Sequence, residues 1–111
     1  MKSTARHHGK VTVLDLSGKI TLGEGDIKLR EAVNALLDEG RKSVVLNLQG
    51  VSYMDSAGIG ELVACYKRAV EKGAKLKLLS PTGKVQDLLV LTKLQTVFEI
   101  FRDEREALTS F

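Results

Sequence analysis

The residues able to do chemistry are few, and their spacing narrows the chemistry further. The 111-residue chain has two histidines, His7 and His8, and one cysteine, Cys65. Neighbouring histidines on an extended segment point to opposite faces, so they are a poor ligand pair and are assigned no chemistry. One cysteine builds neither an internal disulfide nor a thiolate metal site, and Cys65 reads as a small core residue on a helix. A phosphate-binding loop needs a glycine five residues before Gly-Lys. Gly18-Lys19 has Val13 at that place and Gly83-Lys84 has Leu78. The dinucleotide fingerprint fails at Lys28 after Gly23-Glu24-Gly25 and at Val63 after Gly58-Ile59-Gly60. A hydrolase elbow needs glycine two residues on either side of its serine, but Ser56 has Met54 before it, and no histidine follows residue 8. An enzyme of a familiar type is therefore disfavoured, and neither cofactor nor metal is expected.

What remains is the segment Tyr53-Met54-Asp55-Ser56-Ala57-Gly58-Ile59-Gly60-Glu61-Leu62. Asp55 or Ser56 can cap a following helix, and capping with the helix dipole accounts for the Asp55 carboxylate without a catalytic role. Gly58 and Gly60 each cost roughly 0.5–1 kcal/mol against alanine inside a helix. A missing Cβ serves either close approach to the sheet or access for a partner. Both readings stand for Gly60, and Gly58 is read as a bare first turn that lets another protein reach the Ser56 hydroxyl.

These residues must be positioned by neighbouring elements. Val11 to Leu16 reads as a strand closed by Ser17-Gly18, and Ser3 to His7 as an edge pairing back on it. Leu29, Ala32, Val33, Leu36 and Leu37 mark a helix from about Asp26 to Glu39, after the turn Gly23-Glu24-Gly25. Ser43 to Leu48 is a nearly continuous apolar run, expected to be a central strand covered on both sides. A second helix follows from about Ala57 to Lys72, with Ile59, Leu62, Val63, Tyr66 and Val70 on one face. This places the Ser56 segment outside the carboxyl end of a central strand, where α/β sheets carry functional loops. Leu76 and Leu78 alternate with lysines in the next strand. Ser80-Pro81 predicts an N-cap and first helical residue for a third helix carrying Val85, Leu88 and Leu89. Phe98 to Phe101 predicts a last strand, and Asp103 to Thr109 a closing helix. The fold class is α/β, one domain with a mixed sheet of four or five strands and about four helices.

Composition agrees with an ordinary globular chain, 43% hydrophobic and 28% charged. The formal charge is +3, and all of it sits in the first ten residues, as Lys2, Arg6 and Lys10. A neutral body without tryptophan is a poor nucleic-acid footprint. No run approaches the ~20 apolar residues of a membrane span, and residues 1–10 lack the apolar centre of a secretory signal, so a cytoplasmic location is expected.

The segment from Val44 to Leu48 and on through Val51-Ser52-Tyr53-Met54-Asp55-Ser56-Ala57-Gly58-Ile59-Gly60 resembles the STAS domain of bacterial anti-sigma factor antagonists, and the likeness runs from about Val11 to Phe101. It includes Leu16-Ser17-Gly18-Lys19-Ile20 and Gly73. The resemblance implies that Ser56 is phosphorylated by a serine kinase that is also the anti-sigma factor, a GHKL-type ATPase, and that a phosphoserine phosphatase reverses the mark. Unphosphorylated antagonist binds the kinase and frees the sigma factor. The implied contact surface is Asp55, Ser56, Ala57, Gly58, Ile59 and Gly60 with Thr21, Leu22, Gly23 and Glu24. Many antagonists carry aspartate where this chain has Thr21. The family also holds stressosome-type scaffolds and small-ligand or nucleotide-binding modules as alternatives. A monomer or weak homodimer is expected, acting on neither nucleic acid nor membrane.

Overall fold

The computed structural model describes residues 1–111. Strand β1 (Lys2–His8) turns through Gly9-Lys10 into β2 (Val11–Ile20), antiparallel, with His8 opposite Val11. Helix α1 (Gly25–Asp38), β3 (Ser43–Met54), α2 (Ser56–Glu71), β4 (Lys75–Leu79), α3 (Gly83–Leu91), a 3-10 turn (Leu94–Thr96), β5 (Ile100–Phe101) and α4 (Glu104–Thr109) follow. The sheet order is β1-β2-β3-β4-β5, and every pair after the first is parallel. Right-handed crossovers that all step in one direction place their helices on one face. The main core shows this, joining Leu14, Leu46 and Leu78 of three strands to Leu29 and Val33 of α1, Leu62 and Cys65 of α2, and Val85 and Leu89 of α3. The alternate residues Val13, Val45 and Leu79 face the other way and meet Ala107 of α4. Consecutive Val44, Val45 and Leu46 are therefore all fully buried, as expected of a central strand covered on both sides.

Several boundaries differ from the sequence expectation, each for a physical reason. Ser17-Gly18 does not close β2. Gly18 takes a positive φ of 93° and the strand runs on to Ile20 through irregular pairing with β3. Strand β3 likewise continues past Leu48 to Met54. Its extra residues bulge opposite Ser17 and Lys19, which breaks the apolar run that marks its first half. Helix α3 begins at Gly83 rather than Pro81, because the Ser80 amide donates to the Phe101 carbonyl at 2.8 Å and extends the β4–β5 pairing. Phe98 is a buried plug set edge-on to Tyr66, with ring centroids 5.1 Å apart, and only Ile100–Phe101 is strand. On α2 the buried stripe is Gly58, Leu62, Cys65 and Ala69, which leaves Val70 exposed.

Candidate functional site

The starts of α1 and α2 converge on the end of β2. A Cβ on Gly25 would lie 2.6 Å from the Ile20 Cα, and one on Gly58 would overlap the Ile20 carbonyl oxygen and come 2.6 Å from Met54 Cγ. Gly58 is thus a packing glycine, and the reading of it as a bare docking surface is overturned. Gly60, by contrast, has open space around its missing Cβ, so close approach to the sheet does not explain it.

Asp55 caps α2, its Oδ1 accepting from the Gly58 amide at 2.9 Å. Its other oxygen accepts from the Leu22 amide at 3.0 Å, which ties the loop between β2 and α1 to the start of α2. The amides of Gly58 and Leu22 hold the Asp55 carboxyl below its ordinary range, so it stays ionised. The loop is braced from within as well: the Gly23 amide donates to Asp26 Oδ1 at 2.8 Å, and Glu24 pairs with the N-terminal ammonium at 3.4 Å and with Lys28 at 3.5 Å.

Ser56, the first residue of α2, is exposed, and its hydroxyl has no hydrogen-bond partner in the protein. Asp55, Ala57 and Ile59 adjoin it on the start of α2, the Leu22 amide is tied to Asp55, Gly23 and Glu24 follow Leu22 on the same loop, and Thr21 is half-buried. Around this serine stand apolar side chains in water, with Leu22 76% and Leu91 78% exposed and Tyr53 partly so.

Sequence reasoning missed the far wall of the site. A cleft of about 640 Å³ opens beside Ser56, floored by Tyr53 and Met54 and walled by Asp55, Ser56 and Ile59 on one side. Lys84, Asp87, Leu88 and Leu91 of α3, with Thr92 just past its end, form the other. One signal existed: Val85, Leu88, Leu89, Val90 and Leu91 are more apolar residues than a nine-residue helix can bury on one stripe.

Behind the site, Glu61 locks α2 to α1. It is 6% exposed and accepts from Arg68 Nη2 at 2.6 Å and Arg30 Nε at 2.9 Å. Burial pushes this carboxyl up, but the two guanidinium partners outweigh it and the net direction is down. Cys65 is buried beside it, and burial pushes the thiol up to about 12, so it is no thiolate nucleophile.

A five-stranded α/β sheet that presents an unassisted serine at a capped helix start, rimmed by exposed apolar residues, has the features of an interaction domain. The chain belongs to the STAS domain family, whose model matches residues 2–107. It is 28% identical over 103 residues to an anti-sigma F factor antagonist from Paenibacillus polymyxa, covering 93% of this chain and 88% of that one. A Thermotoga maritima protein assigned as an anti-sigma factor antagonist superposes with a TM-score of 0.89 at 25% identity, covering 97% and 92%. The Bacillus cell fate determinant SpoIIAA in its phosphorylated form shares the fold, with a TM-score of 0.74 at 17% identity and 96% coverage of each chain. No helix of the chain is long and apolar enough to cross a membrane.

Proposed function

We propose that this chain is an anti-sigma factor antagonist that binds an anti-sigma factor serine kinase and is released by phosphorylation of Ser56. The observation that carries this reading is the exposed, unpartnered Ser56 hydroxyl on a rigid helix start, surrounded by Leu22, Tyr53 and Leu91 in water. A GHKL-type kinase can reach that hydroxyl without moving any element of the fold. The rim supplies apolar area for docking, and Asp55 fixes the loop carrying Leu22 against the serine.

Phosphorylation adds about −1.5 to −2 charges. In solution that charge is well hydrated at a helix N-terminus. In the interface it would have to be desolvated beside ionised Asp55, and an unpaired buried charge costs several kcal/mol. Each 1.4 kcal/mol changes affinity about tenfold, so association is switched off without refolding. A solved phosphorylated form of SpoIIAA supports the view that this fold tolerates the modification. A phosphoserine phosphatase would restore the binding form.

The test is affinity capture from the source cells on immobilised wild type, Ser56→Asp and Ser56→Ala, with retained proteins identified by mass spectrometry. Wild type and Ser56→Ala should retain one GHKL-type serine kinase, and Ser56→Asp should lose it. Equal retention by all three would refute the switch.

A further inference from the structure

We propose that Lys84 pairs with the phosphate carried by phosphorylated Ser56, forming an ion pair that spans the cleft between α2 and α3. The proposal rests on the reading of Ser56 as the modified residue and adds the group that recognises the modification within the same chain. Lys84 sits in the first turn of α3 and is the only cation lining the cleft onto which Ser56 opens. It takes part in none of the ion pairs of the protein. Its ammonium lies 5.7 Å from the centre of the Tyr53 ring, three residues before Ser56.

The other charges around the serine make a cation there consequential. Asp55 adjoins it on the same turn, Asp87 faces it from α3, and Glu24 on the loop between β2 and α1 is engaged by the N-terminal ammonium and Lys28. The start of α2 offers less than a bare helix end, because Asp55 already accepts from the Gly58 amide and the Asp55 carbonyl from the Ile59 amide at 3.0 Å. A phosphate at Ser56 therefore meets two carboxylates, partly occupied amides and one free ammonium on a flexible four-carbon stem. Pairing draws Lys84 from the Tyr53 ring and lays ammonium and phosphate across the mouth of the cleft. The apolar wall of Ile59, Leu88 and Leu91 is then closed to a partner, so the modification blocks docking by occlusion as well as by charge.

The test needs no kinase. Phosphoserine is installed at position 56 by genetic encoding, and its second ionisation is followed by phosphorus NMR in four backgrounds: wild type, Lys84→Gln, Lys84→Arg and Lys67→Gln. The second ionisation of phosphoserine lies near about 6. It should fall about half a pH unit lower in wild type than in Lys84→Gln, return to the wild-type value in Lys84→Arg, and be unmoved by Lys67→Gln, which removes an exposed charge about 16 Å further along α2. Equal values in wild type and Lys84→Gln would overturn the proposal, as would an equal rise in Lys67→Gln, which would mean a general charge effect. Failure of a kinase to modify Ser56 would defeat the functional reading without touching this titration, so the two claims fail separately.

Discussion

At the scale of single residues, the fold separates the two glycines after Asp55, giving Gly58 a packing role in place of docking and removing close packing from the two readings of Gly60. Both sit on one helix two residues apart, and nothing in composition tells them apart. What separates them is the third dimension, since Gly58 lies over the Ile20 carbonyl and Gly60 faces open space. Gly58→Ala should destabilise the fold by about 1–3 kcal/mol through overpacking against backbone that cannot yield. Gly60→Ala should stabilise it by about 0.5–1 kcal/mol through helix propensity alone. Urea denaturation of the two variants checks both signs, and a stabilised Gly58→Ala would contradict the packing described. The Asp55 cap was legible because it needs only local geometry, a carboxylate three residues before an amide. Its second bond, to Leu22, joins positions 33 residues apart and has no sequence signature.

At the scale of elements, the strands, the order of helices and the parallel sheet follow from periodicity and connection rules. The lengths of β2 and β3 do not, because bulges carry both strands through polar residues where alternation fails. The same limit hid the part that α3 plays in the site, though not the helix itself. Its stripe of Val85 and Leu89 is legible as core, but its exposed Leu91 becomes part of a site only when the fold brings α3 beside α2. Leu91→Ser and Leu22→Ser should each weaken kinase binding about tenfold or more while leaving the melting temperature within a degree or two, since neither side chain is in the core. Calorimetric titration with the kinase alongside thermal melts reads both.

The α1–α2 lock supplies a pH prediction. Glu61 is held below its ordinary value of 4.5, so its contribution is fully present above the unfolded value and is lost as pH falls through the lower folded one. Asp15 and Glu104, each held down chiefly by hydrogen bonds from Arg6, act in the same direction. Glu61→Gln should be less stable than wild type near pH 7, and the gap should narrow below about pH 4.5, as read by denaturant midpoints across that range. A gap independent of pH would contradict the ionic lock.

At the scale of the whole molecule, Arg6 of the basic N-terminal segment acts as a brace. Arg6 donates to Asp15 at 2.6 Å and to Glu104 at 2.6 Å, and Asn47 donates to Asp15 at 2.8 Å, which ties β1, β2, β3 and α4 together on the face opposite the large helices. Lys77, unlike Arg6, is buried, paired with Glu99 at 2.8 Å and covered by Ser110 and the Phe111 ring. The alternation of lysine with leucine in β4 carries no sign that Lys77 is buried, because its covering by the C-terminal residues lies beyond the reach of local pattern. With Arg6 and Lys77 engaged in the fold, the proposed function makes the local charge at Ser56 the variable that a signal changes.

The most direct test of that claim is phosphopeptide mapping after incubation of the chain with its captured kinase and ATP. A single phosphoryl group at Ser56 of wild type, none on Ser56→Ala, and loss of kinase binding by the modified protein are the results predicted. Phosphate elsewhere on the chain, or modified protein that binds the kinase as tightly as before, would contradict the account.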